Sequence, residues 1–179
     1  MAEFLWIFWS FSLLGWGLER LFAAVTRSPR RRRRCLLLLP LCPVYGLGMA
    51  AVLALPPSLR SGWPLYIWGC LTATAVEYIY HWWGETFLGV SFWDYTGVFG
   101  NLRGRVCLPF SLAWGLLLFP AVYLVTPPVL ALADRVPVGV TWWMLLAFTA
   151  DAVCSLRFLA VTHDLEAMRA AVWPVSGDR

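Results

Sequence analysis

Five apolar stretches, each of about twenty residues, constrain this chain more than any other feature. They run over about 4–25, 35–55, 63–88, 106–125 and 138–160. A helix of ~20 apolar residues crosses a ~30 Å hydrocarbon core, and only helices or closed barrels satisfy their own backbone there. Barrel strands would alternate in ten-residue segments, whereas these runs are continuous. The 60% hydrophobic content and the mean hydropathy of +0.69 exceed those of soluble domains, which are about half apolar. The predicted fold is all-α: a polytopic membrane helix bundle of about five spans over 1–160, with a tail over 161–179.

Charge orients that bundle. Six Arg (Arg27, Arg30, Arg31, Arg32, Arg33 and Arg34) crowd one loop, leaving eight Arg against ten acidic residues elsewhere. Arg beside a span is held on the cytoplasmic side. With that loop inside, Arg103, Arg105, Arg169 and Arg179 also fall inside, and only Arg60 and Arg135 fall outside. The expected placement is the cell membrane, multi-pass, with the N-terminus outside and the C-terminus cytoplasmic. Glu3 and the Arg run argue that the first stretch is kept as a span and is not a signal peptide. Arg30, Arg31, Arg32, Arg33 and Arg34 suit anionic lipid headgroups at about 1 kcal/mol each. No aromatic-basic surface accompanies them, so nucleic acid is not an expected partner.

Phe158, Val161, Leu165, Met168 and Val172 recur at helical spacing. They predict a cytoplasmic amphipathic C-terminal helix, lying on the membrane or packed on a partner. The five Cys (Cys35, Cys42, Cys70, Cys107 and Cys154) are odd in number and lack zinc-type spacing. They read as small reduced core residues.

Polar side chains are scarce: there is no Lys or Gln, and Asn101 is the only Asn. Glu77, His81 and Glu85 are four apart and line one helix face. Ionisable groups inside a span are costly and face a cavity or a partner. A His between carboxylates suits proton handling, or His81 and Glu85 sit near the surface and pair with Arg from the next loop. One His and two Glu fall short of a metal motif, and no metal or cofactor is expected. With the topology above, Glu19, Pro43, Tyr45, Glu77, His81, Ser111, Trp114 and Asp151 all fall in the cytoplasmic half. A helix rise of 1.5 Å per residue puts Tyr45 at a depth of ~12–15 Å. These residues outline a polar pocket open to the cytoplasm or inner leaflet.

The connector over 91–105 is long and glycine-rich, and is expected to form a re-entrant or interfacial loop at the pocket rim. Trp93 and Tyr95 suit the headgroup level. Asp94 either pairs with Arg103 or Arg105 or joins them in binding a ligand. The two-pronged Arg donor set matches a phosphate or carboxylate. The candidate ligand-binding or proton-handling residues are Glu19, Tyr45, Glu77, His81, Glu85, Asp94, Asn101, Arg103, Arg105 and Ser111.

These residues carry a resemblance. Trp93-Asp94-Tyr95, Asn101-Leu102 and Gly104-Arg105-Val106-Cys107, continued by Phe110-Ser111 and Trp114-Gly115, form one block. Cys42-Pro43-Val44-Tyr45-Gly46 forms a second. Gly15-Trp16 with Glu19, and Glu77-Tyr78 with Glu85, supply membrane carboxylates. From about 13 to 115 the chain resembles the putative ABC-transporter type IV (CmpB-like) permeases. The resemblance implies a small multispan transport subunit. The chain carries no Gly-rich Lys-Ser/Thr phosphate loop, so the ATPase implied is a separate subunit. Gly15, Gly17, Gly46 and Gly48 allow close helix contact, either within the bundle or in a homo-oligomer.

Three readings of function stand. The first is a transport-related subunit whose polar pocket takes an anionic or lipid-headgroup ligand. The second is a membrane-embedded lipid-headgroup-binding protein or enzyme, with a buried Glu or His as its base; no catalytic residue is assigned. The third is a non-catalytic assembly or scaffold protein.

Overall fold

The computed structural model describes residues 1–26 and 35–172, with side chains as far as Met168. The Arg run over 27–34, with its expected headgroup contacts, and the tail beyond 172 with Arg179 lie outside the described residues. So do the side chains of Arg169 and Val172.

The described residues form helices and loops without a strand; a single antiparallel bridge joins Leu102 to Val106. The helices are α1 (Ala2–Thr26), α2 (Pro43–Leu53), α3 (Gly62–Trp83), α4 (Leu108–Pro120), α5 (Thr126–Ala133), α6 (Val138–Thr162) and α7 (Leu165–Val172). Two continuous helices are long and apolar enough to cross a membrane: Leu108–Ala133 and α6. Only 17% and 11% of their most apolar windows is buried inside the protein. A core helix of a soluble protein would bury most of that surface. Outward-facing Leu112, Leu116, Leu124, Trp142, Trp143 and Leu146 instead suit contact with lipid. α1 and α3 have the length to span but carry Glu3, Glu19 and Arg20, and Glu77 and His81, respectively.

The stretch expected to end at about 125 instead continues as helix through Pro127-Pro128 to Ala133. These prolines withhold two backbone N–H groups from the helix ladder. The chain answers with a π turn at Ala121–Val125, the wider pitch that absorbs such a defect. The Thr126 hydroxyl donates to the Ala121 carbonyl (2.8 Å), and α5 continues α4.

The stretch expected as one helix over 35–55 is helical only from Pro43 to Leu53. Eleven residues rise about 16 Å, roughly half of a ~30 Å hydrocarbon core. Residues 35–42 are non-helical because Pro40 and Pro43 interrupt the ladder. They are nonetheless largely buried: Cys35, Leu36, Leu37, Leu41 and Cys42 belong to the main core. Their backbone needs partners. The Asp151 carboxylate of α6 accepts from the Leu38 N–H (3.1 Å) and the Leu39 N–H (2.9 Å). The Ser12 carbonyl of α1 accepts from the Cys42 N–H (2.9 Å). Pro43 then sits in the first turn of α2, where its missing N–H costs nothing.

Contacts between distant residues fix the two ends of the bundle. At one end the Trp6 indole donates to the Thr141 hydroxyl (3.1 Å) and Tyr123 donates to the Arg60 carbonyl (3.3 Å). At the other, His163 Nδ1 donates to the Leu88 carbonyl (2.6 Å) beside the connector. α7 folds back at this second end. Its Leu165 and Met168 are buried in the main core, so this part of the expected stripe packs on the protein's own bundle. None of the five cysteines is in a disulfide; Cys35, Cys42 and Cys107 are core residues, whereas Cys154 is exposed on α6.

Candidate functional site

The predicted Glu77–His81–Glu85 stripe divides into two groups. Glu77, on α3, is buried and turns toward α4. Its carboxylate accepts from the Tyr95 hydroxyl (3.3 Å) and the Trp114 indole N–H (3.0 Å). The Trp114 ring meets Tyr45 edge to face, with centroids 5.1 Å apart, and the Tyr45 hydroxyl donates to Glu19. One chain of contacts therefore runs Glu19–Tyr45–Trp114–Glu77–Tyr95, from α1 through α2, α4 and α3 into the connector.

Glycine makes the α1–α2 part of this chain possible. A Cβ on Gly15 would lie 2.2–2.6 Å from atoms of Tyr45, and one on Gly46 would lie 2.4 Å from the Phe8 carbonyl and the Ser12 hydroxyl. Gly17 and Gly48 have open space where a Cβ would sit. Of the four glycines expected to allow close helix contact, Gly15 and Gly46 do so within the bundle.

Two cavities flank the Tyr45–Trp114 pair. The first, of about 270 Å³, has Phe11, Leu14, Gly48, Met49, Glu77 and Leu118 among its walls. The second, of about 210 Å³, is bounded by Glu19, Phe22, Tyr95, Phe110 and Ala113. Leu18, Tyr45, Trp114 and Leu117 border both. The aromatic pair is thus a partition with one buried carboxylate on each side. Neither cavity has an arginine in its described wall.

His81 and Glu85 turn the other way, into the connector. His81 Nε2 lies 3.1 Å from Glu85 Oε1 and 3.2 Å from the Ser91 hydroxyl. Arg105 donates through Nε to Glu85 Oε2 (2.7 Å) and through Nη1 to the Tyr78 hydroxyl (2.9 Å), with its guanidinium 5.1 Å from the Tyr78 ring centroid. This is the pairing with the next loop's Arg that the sequence offered as one alternative. The Glu85 carboxylate raises the Arg105 pKa further above its ordinary value. Removing either charge, as Glu85→Gln or Arg105→Gln, is expected to lower the unfolding temperature. The double variant should fall by less than the sum of the two single ones, because each single change already breaks the bond they share. Equal additive drops in a thermal-shift series would count against the pair.

Asp94 does not pair with Arg103 or Arg105. It is exposed, and its carboxylate accepts from the Thr96 N–H (2.8 Å). The Thr96 hydroxyl and N–H hold the Asp94 pKa below its ordinary value. Asn101 closes the next turn, donating to the Val98 carbonyl (2.9 Å) and accepting from the Gly104 N–H (3.2 Å). Arg103 is exposed and left-handed (φ 55°), followed by Gly104 (φ 69°). Short polar side chains that bond their own backbone are turn formers, and Asp94 and Asn101 do this here. Ser111 is buried, its carbonyl accepting from Cys70 Sγ (3.0 Å), and it lines neither cavity.

Trp93 and Tyr95, expected at headgroup level, are buried at 4% and 2% exposure. The Trp93 indole donates to the Arg105 carbonyl (2.7 Å), and Tyr95 stacks on Phe110 with centroids 5.1 Å apart. Tyr95, expected at headgroup level, belongs to the candidate site, as does Trp114, which the sequence places in the pocket outline but not among the ligand-binding candidates. The available signal was chemical: each carries a donor that must find a partner when buried.

An all-helical bundle with two lipid-length apolar helices, a broken helix and cavities between its helices defines a helical membrane protein. The chain belongs to the family described as putative ABC-transporter type IV, whose model matches residues 6–156. The match extends past the 13–115 blocks into most of α6. No curated protein and no solved structure matches the chain.

Proposed function

We infer that this protein is the membrane-embedded, permease-like subunit of a transport system whose ATPase is a separate chain. The observation that carries the reading is the pair of cavities divided by Tyr45 and Trp114, with Glu19 on one side and Glu77 on the other. A ligand path needs compartments that connect when a small element moves, and a two-ring partition is such an element. The broken segment at 35–53 supports it, because irregular backbone at membrane depth is tolerated where it is buried in protein or lines a cavity.

The topology belongs to the same proposal. The second end of the bundle carries Arg103 and Arg105 and receives both boundaries of the 27–34 run. The positive-inside rule makes that end cytoplasmic and places the N-terminus outside, with five crossings of the membrane. Contact of Arg30 to Arg34 with anionic lipid, and self-association, are further parts of it. The anionic-ligand expectation rested on Arg103 and Arg105. Arg105 is engaged by Glu85 and Tyr78, and neither Arg lines a cavity, so the cavities favour a ligand that donates hydrogen bonds.

Gentle purification of the full-length protein, followed by mass spectrometry, tests the reading. The expected result is a co-purifying ATPase whose ATP hydrolysis falls severalfold with Trp114→Ala while the two chains stay associated. Recovery of the folded protein without an ATPase in any mild detergent or native nanodisc would overturn it.

A further inference from the structure

The first cavity has the form of an amphiphile site. Its polar groups gather on one wall, where Trp114 touches both Tyr45 and Glu77. From there it extends toward the N-terminal end of α1 between Phe11, Met49, Ala73, Ala121 and Val125. Trp114 and Val125 are eleven residues apart on one helical path, about 16 Å at helical rise. Beyond the polar wall, the described lining is apolar. Leu14, Leu18 and Leu117 line the cavity and are themselves exposed, so its mouth is apolar.

The polar wall selects the head. Glu77 brings to this wall a carboxylate that, when ionised, accepts hydrogen bonds and donates none. Tyr45 and Trp114 add ring faces that attract cations. We propose that this cavity binds an alkyl chain bearing a cationic amine head, the head against Glu77, Tyr45 and Trp114 and the tail along Leu14, Met49 and Leu118. The inference rests on the reading of the cavities as a ligand path and names the chemical class that path takes.

Gly48 supplies the decisive variant. It lines the cavity, and a Cβ there meets nothing within 4 Å, so Gly48→Leu fills the tail volume without striking backbone. Gly17 is equally open but lines neither cavity, so Gly17→Leu is the matched control. The probe is n-dodecylamine, compared with dodecanol and dodecanoate. Binding to the chain alone is read by native mass spectrometry and thermal shift in phosphatidylcholine nanodiscs. Dodecylamine is expected to bind at least about tenfold tighter than either comparison, the worth of one hydrogen bond to a charged group. Gly48→Leu should abolish binding, Gly17→Leu should leave it unchanged, and Glu77→Gln should erase the preference for the amine. Dodecanoate or dodecanol binding as tightly as the amine would overturn the head assignment. Full binding to folded Gly48→Leu protein would overturn the cavity assignment. Because no ATPase takes part, failure here is separable from failure of the transport reading.

Discussion

Asp151→Ala should destabilise the protein by about 2–6 kcal/mol, the cost of orphaning two backbone donors at about 1–3 kcal/mol each. Asp151 lies near the middle of α6, a lipid-length helix. A carboxylate there is costly unless fully engaged. It accepts from the Leu38 and Leu39 N–H groups and from the Ser155 hydroxyl (2.9 Å). Without it, the non-helical segment over 35–42 loses the bonds that replace its helix ladder. Asp151→Asn keeps one acceptor oxygen and should recover part of the loss. Fluorescence-detected size exclusion after a temperature series measures both. Unfolding of Asp151→Ala at the wild-type temperature would show that the segment is held by something else.

Gly46→Ala should cost about 1–3 kcal/mol, the usual range for overpacking a tight core. The added methyl would sit 2.4 Å from the Phe8 carbonyl oxygen, and a backbone oxygen inside α1 cannot swing aside. α2 must then back away from α1, carrying Tyr45 from Glu19 and the Trp114 edge. Gly48→Ala, two residues on, meets nothing. It should be neutral or stabilising by up to about 1 kcal/mol through helix propensity. The same thermal series separates the two, and equal effects would mean that α1 and α2 are not in close contact at Gly46.

Much of the site's membership was legible in the residues. Glu19 and Glu77 stood out because charge is rare inside the apolar stretches and its burial demands partners, and Tyr45 stood out through its Cys-Pro-Val-Tyr-Gly block. The connector block stood out through its glycines and its Asp, Asn and Arg. What its residues do was not legible. Asp94 and Asn101 bond their own turns, as short polar residues do, and Arg105 reaches back to Glu85 and Tyr78 on the preceding helix. Local spacing cannot say which of two nearby acids an Arg will choose. The choice follows from the left-handed Arg103–Gly104 turn, which places Arg105 on the α3 side.

The sequence by itself determined the helical class, the apolar surface that demands lipid, and the family, because composition, run length and motif identity are properties of the chain alone. Only the tertiary structure decided where proline breaks a helix and where it does not. At 35–42 Asp151 and Ser12 supply the missing partners for an unwound segment, whereas at Pro127-Pro128 a π turn and Thr126 let the helix continue. It also divided one carboxylate stripe between two neighbourhoods, since residues four apart share a helix face but not the same packing partner. Backbone hydrogen bonds must be satisfied in either case: at 35–42 by groups on α1 and α6 that are distant in sequence, and at Pro127-Pro128 by a neighbouring hydroxyl.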